Sequence, residues 1–169
     1  MLKIINNLKP FFEDCYRRIN VREYSKLAGM SPPTASKILL DFNKEGLLSQ
    51  EKYRNYIFYY ANKNNKILME LSRIYWKIKL KKLTDFLNKN LIVSAIILFG
   101  SLSKAEVKHD SDVDICIIGK KKEFNLANFE KNLNRKIQIF FFNSIKEIKN
   151  EGLLNNIING YLLEGRLKL

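Results

Sequence analysis

The segment Ser94-Ala95-Ile96-Ile97-Leu98-Phe99-Gly100-Ser101, followed after ten residues by Asp112-Val113-Asp114-Ile115-Cys116-Ile117-Ile118, decides how the chain is read. Ser94 to Phe99 reads as an apolar strand that runs straight into Gly-Ser. In the second strand side chains alternate, so Asp112 and Asp114 project from one face while Val113 and Ile115 enter the core. Two like charges this close repel unless a cation bridges them, and hard carboxylate oxygens suit Mg²⁺. Gly100 permits a close backbone approach, and the N–H groups and hydroxyl around Ser101 can receive a phosphate. A nucleoside triphosphate with its magnesium ion is the object that needs both halves.

The run from the apolar strand through Gly100-Ser101-Leu102-Ser103-Lys104-Ala105-Glu106 to Asp110-Ser111-Asp112-Val113-Asp114 resembles the nucleotidyltransferases of the DNA polymerase β superfamily, in particular the minimal ones. The resemblance implies that Gly100, Ser101 and Lys104 hold the triphosphate. It also implies that Asp112 and Asp114 bind the Mg²⁺ or Mn²⁺ ions, with ATP the expected nucleotide, through which a nucleotidyl group passes to a hydroxyl. Two departures stand out. Lys104-Ala105 takes the place of a common Arg-Gly, keeping a cation without bidentate geometry. Active members carry a third carboxylate on a neighbouring strand, and in Lys136-Ile137-Gln138-Ile139-Phe140-Phe141-Phe142 that place falls to Gln138. An amide adds no negative charge and cannot act as a base, so chemistry is expected to be slow or absent while nucleotide binding survives. His109 reads as a surface residue, and Cys116, on the side of the two aspartates, as a small buried one. One of Phe140, Phe141 and Phe142 is expected in the core and another on the nucleotide side.

Outward from this motif, 169 residues allow one medium domain or two small ones, and 46% hydrophobic with 28% charged residues is ordinary globular usage. Lys+Arg 30 against Asp+Glu 17 leaves a formal net charge of +13, which speaks for anionic partners. Asn/Lys clusters at 62–65 and 88–90 divide the chain into three segments with excesses of +5, +5 and +3, so the surplus is densest in the first half. Cys15 and Cys116 have no C-x-x-C spacing, which argues against a disulfide framework or zinc cluster and for a reduced, cytoplasmic setting. The longest apolar run, Leu91 to Phe99, is far short of the ~20 residues of a membrane span, and the N-terminus lacks the pattern of a signal peptide.

In the first third, Val21 to Ala28 reads as a short helix ended by Gly29. A second helix starts at Ser31-Pro32, with Ala35, Ile38, Leu39 and Phe42 at i, i+3, i+4, i+7. Its other face carries Thr34, Lys37 and Asp41, with Ser36 at the margin. Leu47 to Gln50 and Asn55 to Tyr60 read as strands joined by the turn Glu51-Lys52-Tyr53-Arg54. Helix, tight turn, helix and basic hairpin resemble winged helix-turn-helix regulators of the MarR/ArsR type over about 60 residues, which implies that Thr34, Ser36, Lys37, Lys52 and Arg54 face double-stranded DNA. Residues 66–89 read as a long helix with Ile67, Leu71, Ile74, Ile78, Leu83, Phe86 and Leu87 on one apolar stripe. Gly152 to Arg166 reads as a C-terminal helix covering the sheet.

The expected architecture is α+β. It comprises a winged helix-turn-helix domain over 1–65, a connector helix over 66–90, and a nucleotidyltransferase-like domain with a small mixed sheet and flanking helices over 91–169. The expected function is a DNA-binding regulator, homodimeric on paired half-sites, whose C-terminal domain binds NTP–Mg²⁺. The alternative is an active, antitoxin-like nucleotidyltransferase that modifies a protein, RNA or small molecule and uses the winged helix for docking. Antibiotic inactivation by nucleotidyl transfer leaves the basic N-terminal third unexplained and ranks last.

Overall fold

Four large side chains of helix α1 (Lys3–Glu13), namely Ile5, Leu8, Phe11 and Phe12, are buried and found the first of two compact units in the computed structural model, which describes residues 2–167. This unit comprises Met1–Ser72 and Ala105–His109. After α1 come β1 (Ile19–Asn20), α2 (Val21–Ala28), α3 (Pro32–Lys44), β2 (Leu48–Tyr53) and β3 (Tyr56–Ala61). Gly29, at φ 63, ends α2, and the Ser31 hydroxyl accepts from the Thr34 N–H to start α3, so the turn between the helices is short. Ala35, Leu39 and Phe42 are the buried positions of α3. The three strands form an antiparallel sheet in the order β1-β3-β2.

The hairpin is longer and its turn tighter than the sequence reading expects. Tyr53 pairs with Tyr56, leaving Arg54-Asn55 as a two-residue turn, and Lys52 lies on β2 opposite Ile57 rather than in the turn. Arg54 takes a left-handed conformation at φ 54, which makes the tight reversal possible without glycine.

Helix α4 (Lys66–Asn90) is a single 25-residue helix, and the division between the units falls inside it, between Ser72 and Arg73. The second unit comprises Arg73–Lys104 and Asp110–Leu169. It contains β4 (Val93–Phe99), a one-turn α5 (Gly100–Ser103), β5 (Val113–Gly119), α6 (Ala127–Leu133), β6 (Ile137–Phe142), a 3₁₀ turn (Ile145–Glu147), α7 (Glu151–Ile158) and β7 (Tyr161–Gly165). The sheet is mixed and ordered β6-β5-β4-β7, with β5 and β6 parallel and the other pairs antiparallel. One face buries Ala95, Ile97, Phe99, Cys116 and Ile118 with Ile145, Ile148 and Ile157. The alternate positions Ile96, Leu98, Val113, Ile115 and Ile117 are buried as completely, so both faces of this sheet are covered. Among the described residues no helix is long and apolar enough to cross a membrane.

Two helical expectations need correction. The stripe assigned to α4 holds only toward its C-terminus, where Leu83 and Leu87 are buried; before that Ile67, Ile74 and Ile78 are exposed, and the buried positions are Leu68, Ser72, Tyr75, Trp76 and Leu80. Both series repeat with helical spacing, and the aromatic pair Tyr75-Trp76 brings more buried area than the isoleucines. The expected C-terminal helix stops at Ile158. Gly160 sits so close to β4 that a Cβ there would lie 2.7 Å from the Leu98 carbonyl oxygen, and the chain then runs as β7 along β4. Leu163 is buried while Leu162 and Glu164 are exposed, the alternation of an edge strand.

Candidate functional site

At one end of the second sheet, β4 delivers Gly100 and β5 delivers Asp114, because Phe99 and Asp114 are paired across the antiparallel ladder. Gly100 has φ 69, and a Cβ on it would come within 2.2 Å of Asp114 Oδ2. Only glycine leaves that space to the carboxylate. The chain turns at once into α5, where the buried Ser103 hydroxyl donates to the Gly100 carbonyl at 2.9 Å. Ser101 is half-buried on this turn. Lys104 is exposed, and its Nζ donates to Asn156 Oδ1 on α7 at 2.8 Å, so its cation is engaged by α7.

Asp112 and Asp114 flank the first residue of β5, Val113, whose side chain is fully buried. The Asp114 carboxyl is raised above its ordinary range, first by burial and then by the charge of Asp112. Both causes are relieved by a bound cation, and two hard oxygen donors beside a glycine turn fit a magnesium or manganese ion carrying phosphate oxygens. Asp112 and Asp114 would hold such an ion, and Gly100 and Ser101 lie at the adjacent turn.

The third position is filled by Gln138. In the parallel β5–β6 ladder Gln138 is the partner of Asp114, and its Nε2 donates to Asp112 Oδ2 at 2.6 Å. The site therefore joins two carboxylates and an amide. Among the described residues no group of three or more His, Cys, Asp or Glu side chains could hold a metal. Asp110 and Glu106 are exposed, and His109, also exposed, has its Nδ1 3.9 Å from Asp14 in the first unit's own packing. Ala105, which stands where the resembled pattern has glycine, keeps a left-handed φ of 55.

Cys116 lies on the aspartate side of β5, fully buried, with its thiol pushed up to about 12 by burial, which leaves it an inert packing residue. Phe140 and Phe142 pack into the same layer, Phe140 edge-on to Phe99 at 5.3 Å between centroids. Phe141 points the other way and lines a cavity of about 320 Å³ with Lys121, Phe124 and Ile139, on the face opposite Asp112 and Asp114.

In the first unit, Thr34 and Lys37 are exposed on α3, and the Thr34 hydroxyl is hydrogen-bonded to that of Ser31 at 2.9 Å. Ser36 is half-buried and lines a groove of about 500 Å³ with Leu40, Tyr56 and Ile57. Lys52 and Arg54 are exposed on the hairpin, and the Arg54 guanidinium lies over the Tyr53 ring at 5.4 Å.

Sequence reading missed two arginines that brace the backbone of the α5 turn and of the segment before Asp112. Arg73, on α4, donates from Nε to the Ser103 carbonyl at 2.8 Å. Arg135, which precedes β6, is buried and donates from Nη1 to the Ser111 carbonyl at 2.6 Å. An arginine beside Lys136 in a polar loop looks like a solvated charge, so nothing in the pattern marks it.

No curated protein matches the chain. The model of the family described as "Polymerase beta, Nucleotidyltransferase" matches residues 81–166, just over half of the sequence and nearly all of the second unit's sheet and helices. With the glycine turn, the paired aspartates and that match in agreement, the chain belongs to the polymerase β nucleotidyltransferase family.

Proposed function

We propose that this protein is a DNA-binding regulator whose nucleotidyltransferase-fold unit binds a nucleoside triphosphate with Mg²⁺ or Mn²⁺ and transfers its nucleotidyl group slowly or not at all. The carrying observation is Gln138, paired with Asp114 and hydrogen-bonded to Asp112 where a third carboxylate is expected. Asp112 and Asp114 hold the ion and Gly100 and Ser101 the phosphates, with Lys104 released from Asn156 to reach them. The ion supplies charge neutralisation at the phosphates. No side chain at position 138 can take a proton from an acceptor hydroxyl, because an amide is not a base.

The order α1-β1-α2-α3-β2-β3 with a three-stranded antiparallel sheet supports reading the first unit as a winged helix-turn-helix. Lys37 and Thr34 on α3 and Lys52 and Arg54 on the hairpin are exposed, and the net charge of +13 favours a phosphate backbone. A dimer on paired half-sites and a cytoplasmic setting belong to this reading.

The experiment combines two arms on the full chain. Purified protein, and an Asp112→Asn, Asp114→Asn control, is incubated with α-labelled nucleoside triphosphates, Mg²⁺ or Mn²⁺ and a source-cell lysate, while nucleotide binding is titrated separately. Metal-dependent binding without transfer supports the regulator. Label transferred by the wild type alone overturns it and establishes the transferase alternative, with the labelled molecule as acceptor. In the second arm, binding to random duplex DNA is followed against salt. Lys37→Ala with Arg54→Ala should flatten the log–log slope by roughly 0.9 for each phosphate that is no longer neutralised, and an unchanged slope removes the proposed face.

A further inference from the structure

Arg135 is 7% exposed, an unusual place for a guanidinium, and its supports there include a ring and a carbonyl. Its Cζ lies 5.1 Å from the centroid of the Trp76 ring, and Nη1 donates to the Ser111 carbonyl. Trp76, the single tryptophan of the chain, is completely buried, and its indole Nε1 has no hydrogen-bond partner. A buried donor left unbonded is destabilising. Trp76 is therefore not kept for its N–H group. What it offers is the ring face, the best aromatic seat for a cation.

Ser111 immediately precedes Asp112, and the residue after Asp112 is held from the same segment leading into β6, since the Val113 N–H donates to the Lys136 carbonyl at 2.8 Å. The backbone on either side of Asp112 is thus tied to consecutive residues, Ser111 to Arg135 and Val113 to Lys136. The second tie is an ordinary ladder bond. The first replaces a ladder bond with a side chain, at the point where the loop becomes the strand.

We propose that Arg135, seated on Trp76, is a positioning residue that fixes the backbone of Asp112 so that its carboxylate meets that of Asp114 across a bound metal ion. This rests on the reading of Asp112 and Asp114 as the metal–nucleotide site. Arg135 touches neither ion nor nucleotide. It acts through the Ser111 carbonyl, and it offsets the tendency of two like charges to move apart before a cation arrives.

The test compares wild type with Arg135→Met, which keeps a long apolar stem over Trp76 and loses the donors, with Arg135→Lys, and with Trp76→Phe. Each is measured where far-UV circular dichroism shows it folded. The first readout is hydrogen exchange at the Val113 amide, against amides at the centre of β4. The second is Mn²⁺ affinity in the presence of ATP, by electron paramagnetic resonance. In Arg135→Met, Val113 exchange should accelerate about tenfold with β4 unchanged, and Mn²⁺–ATP affinity should fall about tenfold, the scale of removing one charged hydrogen bond. Arg135→Lys should recover most of both, and Trp76→Phe should fall between. If Arg135→Met does not fold, Arg135→Lys and Trp76→Phe decide on the same two readouts, each expected to lie below wild type. Unchanged Val113 exchange, or acceleration shared by all of β4, overturns the assignment. Wild type that binds no Mn²⁺–ATP, or any other Mn²⁺–nucleoside triphosphate, overturns the nucleotide-site reading instead, and the two failures are distinguished by which readout disappears.

Discussion

Gly100 and Asp114 share one space: a Cβ added to the glycine would lie 2.2 Å from Oδ2 and 3.1 Å from Cγ of the aspartate. The glycine turn after β4 and the start of β5 are fitted to each other at this point, with the aspartate side chain the movable partner. Gly100→Ala also places an alanine at φ 69, which costs about 1 kcal/mol. The expected outcome is a folded protein with a modestly lower melting temperature and metal-dependent nucleotide affinity reduced by about tenfold or more, because the displaced carboxylate no longer makes its charge-assisted interaction. Calorimetric titration with Mg²⁺–ATP checks it.

Gln138→Glu converts the amide that donates to Asp112 into a third carboxylate of the same length. Without metal, three clustered charges lower the melting temperature relative to wild type. With saturating Mn²⁺ the order should reverse, because each added carboxylate strengthens the site for a hard cation. Thermal melts with and without Mn²⁺ measure both signs, and label transfer from ATP should rise in this variant.

Asp114 gives a pH dependence of definite sign. Its folded carboxyl is raised above the ordinary 3.8, so the neutral form is favoured in the native state. The stability this group contributes is complete below about 3.8 and is lost as pH rises through the higher folded value. At pH 7, metal-free Asp114→Asn should therefore melt higher than wild type, and the difference should shrink as pH falls toward 4. Metal binding runs the other way and is abolished in the variant at every pH. Melting curves at a series of pH values, with and without Mn²⁺, decide this.

Ala105 holds a left-handed φ of 55 with its methyl group buried. Ala105→Gly relieves that conformation and should stabilise the protein by about 0.5–1 kcal/mol, net of the extra freedom of an unfolded glycine. For a chain of this size the melting temperature should rise by roughly 1–4 °C. A lower melting temperature would mean that burial of the methyl group outweighs the backbone strain.

The site is legible because strand periodicity is local: an apolar run ending in Gly100-Ser101 and the alternation through Asp112 and Asp114 require no knowledge of partners. Gln138 is also within reach, since its place follows from aligning two parallel strands, and the Asp114 register pair lies there. The buried face of α4 is legible only toward its C-terminus, where Leu83 and Leu87 lie on the expected stripe. In its first half Ile67, Ile74 and Ile78 repeat as well as Leu68, Tyr75 and Leu80, and which stripe turns inward depends on neighbours far along the chain. Beyond Ile158 the same apolar spacing continues, but Gly160 packs against the β4 backbone and the last segment joins the sheet. Arg135 reads as solvent-facing charge because its seat, Trp76, is remote in sequence.

The division inside α4 sets where the protein can be cut. A fragment starting at residue 91, after the helix, would discard Trp76, Leu80, Leu83 and Leu87, all essentially inaccessible to solvent, together with Arg73, whose guanidinium holds the Ser103 carbonyl. Such a fragment retains every residue of the metal and phosphate motifs and lacks the surfaces that keep them in place. An independently folding second unit should instead begin near residue 73 and keep the helix as its own first element.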